Sequence, residues 1–246
     1  MPYTEFDGIS HYYEVHGPID GQPVLVLHGG YCSIETWQPL IERLAPTFRV
    51  HAPERPGHGR TRDREAPFSY NDMLEDTLAY LDAQGLESAH IVGFSDGAIV
   101  GLLLAVGHPE RVRSLVSISA NLDPDAFVDA DESGPAGKEQ ESVPDPEDEA
   151  YARLSPDGPE HQAVVVAKLM TLWTTEPHID PADLDRIVAP TLVMAGDRDH
   201  IRSDHTALIA HSIRDSQLHV VADAGHRALR EKPEAVNQVI SEFLES

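Results

Sequence analysis

A serine framed by two glycines stands at Gly93-Phe-Ser95-Asp-Gly97, directly after the apolar run His90-Ile-Val92 and directly before Ala98-Ile-Val-Gly-Leu-Leu-Leu-Ala-Val106. The first run reads as the end of a buried strand, the second as a helix buried over most of its circumference. Where a strand turns at once into a helix the two backbones crowd each other, so only glycine fits at 93 and 97 and the side chain between them is pushed outward. A serine hydroxyl so placed is a candidate nucleophile, although serine also favours the first position of a helix as a cap. Near its free pKa it reacts poorly, and it needs a base within hydrogen-bond reach and an acid that orients the base. Functional groups of a doubly wound sheet gather at the carboxyl ends of its strands. The two carboxyl-terminal strands end in Gly196-Asp-Arg-Asp-His200 and Ala222-Asp-Ala-Gly-His226, which offer Asp197 or Asp199 as acid and His226 as base.

Strands and helices alternate along the chain in a way that would hold those loops together. Strands are expected at 9–16, 22–27, 48–52, 90–92, 112–119, 190–196 and 217–221, and helices at 69–84, 98–106, 159–175, 203–211 and 233–244. Such alternation implies a parallel sheet with helices on both faces. The rhythm breaks at Asn121: from there to Glu160 the chain carries thirteen Asp and Glu, several prolines and glycines and few apolar residues, so a surface excursion is expected. Residues 121–188 are accordingly expected to form a cap inserted into a core made of 1–120 and 189–246.

At 246 residues, 41% hydrophobic and 24% charged, the chain has the make-up of one globular domain with an insertion. Acidic residues number 42 against 18 basic ones, a formal charge of -24. That balance argues against nucleic acid as a partner, because phosphate contacts need clustered Lys and Arg. It fits either a salt-rich cytoplasm or an acidic protein of an arginine-preferring organism. No apolar stretch approaches the ~20 residues of a membrane span, and the first residues show no leader. With one cysteine, Cys32, these features lead us to expect a cytoplasmic protein that engages neither membrane nor nucleic acid but a small-molecule substrate. Oligomeric state is not legible.

With His28-Gly29-Gly30 and Arg55-Pro-Gly-His-Gly59 added to the motifs above, the chain resembles the α/β-hydrolase superfamily over essentially its whole length. The resemblance implies a mostly parallel, doubly wound sheet with an inserted helical cap. It makes Ser95 the nucleophile, His226 the general base and Asp199 the acid, with Asp197 as fallback, and assigns the oxyanion to the backbone N–H groups of Gly30 and Asp96. It places His28 and His58 in structural turns and implies no metal and no organic cofactor. The implied reaction is hydrolysis of a small carboxylic ester through an acyl-enzyme, with lactones, thioesters and amino-acid esters as relatives of that substrate. Perhydrolysis, C–C or amide cleavage, and a receptor with little turnover remain open on the same fold. Dehalogenase and epoxide hydrolase relatives use an aspartate nucleophile where this chain has Ser95.

Tyr31, Met170 and Trp173 are the expected pocket residues, with Asp96 beside them. The Asp96 carboxylate would sit close to a second negative charge as a tetrahedral intermediate forms. Either it turns away or something positive meets it. Ser-Asp-Gly at this position is similar to the elbow of hydrolases of the valacyclovir hydrolase group, which cleave amino-acid esters, so a substrate ammonium is one expectation and a nearby arginine the other.

Overall fold

The computed structural model describes residues 2–128 and 146–246. A hairpin of β1 (Tyr3–Phe6) and β2 (Ile9–His16) leads into β3 (Gln22–Leu27), α1 (Gln38–Leu44), β4 (Phe48–Pro53), α2 (Tyr70–Ala83), β5 (Ala89–Phe94), α3 (Asp96–Gly107) and β6 (Val112–Ile118). Between β6 and β7 (Thr191–Gly196) come α4 (Pro146–Leu154) and α5 (Gln162–Thr175), and the chain closes with α6 (Ser203–Ser212), β8 (Ser216–Val221), α7 (Ala228–Glu231) and α8 (Pro233–Glu245). The sheet runs β1-β2-β4-β3-β5-β6-β7-β8. Pairing is antiparallel from β1 to β2 and from β2 to β4, and parallel from β4 to β8.

The central strands are mostly apolar, with runs such as Val24–Leu27 and Leu192–Ala195, because both faces are covered. Side chains alternate across a pleated strand, and the two parities divide into two cores. Leu25, Leu27, Ile91, Leu115 and Val193 pack under α2, α3 and α6 with Leu81, Ile99, Leu102 and Ile209. Val24, Val26, Val92, Val116 and Met194 pack on the other face with Leu40, Ile41 and Leu44 of α1 and Val236, Ile240 and Leu244 of α8. Among the described residues no helix is long and apolar enough to cross a membrane.

Two points differ from the expected organisation. The helix α1, which follows a 3-10 turn at Ile34–Trp37 and starts with Pro39 in its first turn, was not expected, and neither was the short α7. The acidic stretch is not surface throughout: α4 buries Glu147, Ala150 and Tyr151. Tyr151 stacks on Tyr31 with ring centroids 5.8 Å apart, and the Glu147 carboxylate accepts from Arg230 at 2.8 Å. Of the expected excursion, 129–145 lies outside the described residues.

Candidate active site

The turn between β5 and α3 is one residue long, and that residue is Ser95, at φ 52°, ψ -120°. A side chain other than glycine rarely holds a positive φ. Here the flanks enforce it, since a Cβ at Gly93 would lie 2.3 Å from the Gly97 carbonyl oxygen and one at Gly97 would lie 2.0 Å from that of Leu27. The Ser95 side chain does not cap α3. Its Oγ instead lies 3.0 Å from His226 Nε2, while His226 Nδ1 lies 2.8 Å from Asp199 Oδ1. An ionised carboxylate only accepts, so Nδ1 carries the ring proton and Nε2 is left to accept from the serine. Asp197 is exposed and stays out of this line, accepting the Ala224 N–H at 3.2 Å as a brace between loops.

Asp199 is itself held on both oxygens. Ile201 N–H donates to Oδ1 at 3.0 Å and the Ser119 hydroxyl donates to Oδ2 at 2.5 Å. Burial pushes this carboxyl up, but the His226 bond and charge and the Ile201 and Ser119 donors together outweigh burial and leave it below its ordinary value. The four polar groups come from four neighbouring parallel strands: Ser95 follows β5, Ser119 follows β6, Asp199 follows β7 and His226 follows β8.

The His226 ring is walled by Phe94 at 5.2 Å and by His200, stacked at 3.8 Å with planes 23° apart. Asp199, His200 and His226 bring potential ligand atoms within 4.8 Å of one another. Their geometry does not suit a metal, because both nitrogens of His226 are already engaged and the in-plane lone pairs of two stacked rings run side by side rather than towards one point.

Gly30, in the loop after β3, abuts the elbow: a Cβ there would meet Asp96 Oδ2 at 2.4 Å and Trp173 Cζ2 at 2.6 Å. Asp96 is 2% exposed. Its Oδ1 accepts from the Tyr70 hydroxyl at 3.0 Å and from Trp173 Nε1 at 2.9 Å, and its Oδ2 has no partner. Burial raises the Asp96 carboxyl, against the opposing pull of the Arg55 charge and those two donors. The carboxylate thus neither turns to solvent nor waits bare for a cation; Tyr70, Trp173 and Arg55 already face it.

Residues 24–239 match the alpha/beta hydrolase family. The chain belongs to that family. A protein of Variovorax paradoxus (strain S110) named "Putative carbamate hydrolase RutD" is 31% identical over 95% of each chain. Its namesake from Azorhizobium caulinodans is 38% identical over 52% of this chain, a match that spans about half (48%) of that relative's length. The crystal structure of a hydrolase from Pseudomonas aeruginosa PA01 superposes with a TM-score of 0.77 at 26% identity, covering 99% of this chain and 98% of the other.

In this alpha/beta hydrolase the expected pocket residues part company. Trp173 reaches the elbow from α5, whereas Met170, one turn earlier, is 51% exposed and joins neither core. The hydroxyl of Tyr31 (φ 60°) donates a hydrogen bond to Asp148 of α4 at 2.9 Å, tying the loop after β3 to that helix. His28 and His58 are buried and neutral, each held far below its ordinary value first by burial and next by Arg55, and each bonded to a carbonyl of its own turn, Gly29 and Pro56. Burial, followed by the Glu147 charge, pushes the Cys32 thiol up to about 12, so it is no thiolate at neutral pH. Sequence reasoning missed Ser119 and Tyr70. The signal for Ser119 was its place at the end of a strand next to the elbow strand; Tyr70 had none.

Proposed function

We propose that the chain is a serine hydrolase that cleaves small carboxylic esters through an acyl-enzyme, with no metal or organic cofactor. The observation that carries this reading is the unbroken hydrogen-bond line Ser95–His226–Asp199 ending at a strained elbow. In it, Ser95 Oγ attacks the carbonyl carbon as His226 Nε2 takes the hydroxyl proton and then returns it to the leaving group. Asp199 holds the ring in the required tautomer and stabilises the imidazolium. The Gly30 and Asp96 N–H groups, the latter the first of α3, face the developing oxyanion, where one donor is worth about 3 kcal/mol. Water activated by His226 then releases the acid.

Labelling with a fluorophosphonate probe should map to Ser95, and hydrolysis of p-nitrophenyl acetate and butyrate should vanish in Ser95→Ala. Residual turnover in that variant equal to wild type would end the proposal. A carbamate is the second reading, supported by the whole-length match to the V. paradoxus relative. A carbamate presents the same carbonyl carbon to the same nucleophile, and tenfold or faster turnover of a methyl carbamate over the matched acetate would favour it. An amino-acid ester would have to bring its ammonium to Asp96 Oδ2, which is closed in by Gly30 and Trp173; equal preference for esters with and without an α-amino group, in wild type and Asp96→Asn, removes that option.

A further inference from the structure

We infer that Arg55 is a positioning residue for the oxyanion: it sets the Gly29–Gly30 peptide so that the Gly30 N–H faces the carbonyl that Ser95 attacks. This rests on the serine-hydrolase reading above. Arg55 is 5% exposed, an unfavourable place for a full charge. Among the described residues no carboxylate bonds to it, and its Nε and Nη1 have no partner. What it does hold is a pair of consecutive backbone carbonyls, with Nη2 donating to His28 O at 2.5 Å and to Gly29 O at 3.0 Å. The Asp96 charge faces this cation, yet its side-chain bonds go to two peptide oxygens, and those peptides lead directly into the oxyanion loop.

The reason lies in the geometry of the amide. A trans peptide is planar, so its C=O and the following N–H point in opposite directions. Gripping the Gly29 oxygen on the Arg55 side therefore fixes the Gly30 N–H on the other. The same oxygen also accepts from His28 Nδ1–H at 2.8 Å and from Cys32 N–H at 3.3 Å. His28 is kept in the matching tautomer by Arg55 itself, whose own backbone N–H donates to His28 Nε2 at 3.1 Å. The peptide needs such a grip because it joins two glycines, and without Cβ atoms nothing steric opposes its rotation. Glycines are required there for another cause: a Cβ on Gly29 would press on Phe94 at 2.9 Å, and one on Gly30 would strike Asp96 and Trp173. The loop therefore comes close to the nucleophile only by giving up its own stiffness, and Arg55 restores it. Both bonds leave one nitrogen, Nη2, which the planar guanidinium holds in a fixed place, whereas the ammonium of lysine rotates at the end of a flexible stem.

The test compares wild type, Arg55→Met, Arg55→Lys and Ser95→Ala on p-nitrophenyl acetate, with thermal melting of each. A positioning role predicts that kcat and kcat/KM fall together by about 10²-fold in Arg55→Met, the scale of one lost oxyanion donor. KM should stay within about threefold, since the interaction is made only in the transition state, and the acidic limb of the pH–rate profile should not move. Arg55→Lys should lie between Arg55→Met and wild type, and it carries the test alone if Arg55→Met does not fold. Unchanged kcat in the folded variants, or a loss expressed in KM alone, overturns the inference while a dead Ser95→Ala leaves the serine-hydrolase reading standing. Full turnover in Ser95→Ala overturns both.

Discussion

Lowering the pH from 7.0 to 5.5 should strip this protein of much of its stability through buried histidines that lie outside the Ser95–His226–Asp199 line. His11, His28, His51 and His58 are each 2% exposed or less. Burial is the main cause that holds them below the ordinary histidine value, to about 4 for His11 and His51, to about 3 for His58 and well below it for His28. Arginines add to it: Arg64 near His11, Arg49 near His51, Arg55 near His28 and His58. The second ring nitrogen of His11, His51 and His58 has no acceptor to receive a proton's bond. A folded-state pKa below the unfolded one means that the unfolded chain takes up protons first, so stability is complete above about 6.5 and drains away as pH falls towards the folded values. Integrated from pH 7.0 to 5.5, each such group costs about 1 kcal/mol, or about 4 kcal/mol for the four, a large share of a typical 5–15 kcal/mol. Glu54, Asp76 and Asp96 work the other way, since burial raises all three and the folded state binds their protons first. The net change should be a loss smaller than the histidine sum, read as the difference in urea unfolding free energy by far-UV circular dichroism at the two pH values. His51→Gln should reduce that difference by about 1 kcal/mol. Equal or greater stability at pH 5.5 would refute the reasoning.

Other outcomes follow from single contacts. Ser119→Ala removes a donor from Asp199 Oδ2, and kcat should drop about tenfold, at the low end for a hydrogen bond to a charge, with KM unchanged. Trp173→Phe keeps the ring and deletes the Nε1–H that Asp96 accepts; urea titration should show a loss of about 1.5 kcal/mol. Gly97→Ala places a Cβ 2.0 Å from a backbone oxygen and should give no soluble protein, whereas Gly85→Ala, at φ +65° with open space around it, should melt only slightly lower for a cost of about 1–2 kcal/mol.

The candidate site was legible where local backbone sterics demanded particular residues. Gly93 and Gly97 are forced by contacts that any strand-to-helix turn of this tightness makes, so Ser95 could be found without coordinates. The choice of Asp199 over Asp197 turned on a motif and is matched by the hydrogen bonds of the two side chains. The sheet was legible because strands buried on both faces are written as apolar runs, as in Val24–Leu27 and Leu192–Ala195. By contrast α4 hides its buried Ala150 and Tyr151 among carboxylates, and α1 is too short to show a period. Contacts made across the fold leave little local trace: Ser119, marked only by its place at a strand end, is 80 residues from Asp199, and Asp96 draws Tyr70 and Trp173 from two different helices.

The four polar groups of the site hang from four successive strand ends, and the last of these, β8, is bonded on one side only, to β7. Its outward residues Leu218 and Val220 are 44% and 51% exposed. The imidazole is thus borne next to an edge strand with one neighbour to lose, while the hydroxyl it meets is rooted in the middle. Peeling at that rim would part His226 from Ser95 while the central strands stay paired, so the assembled site is a more fragile object than the folded sheet.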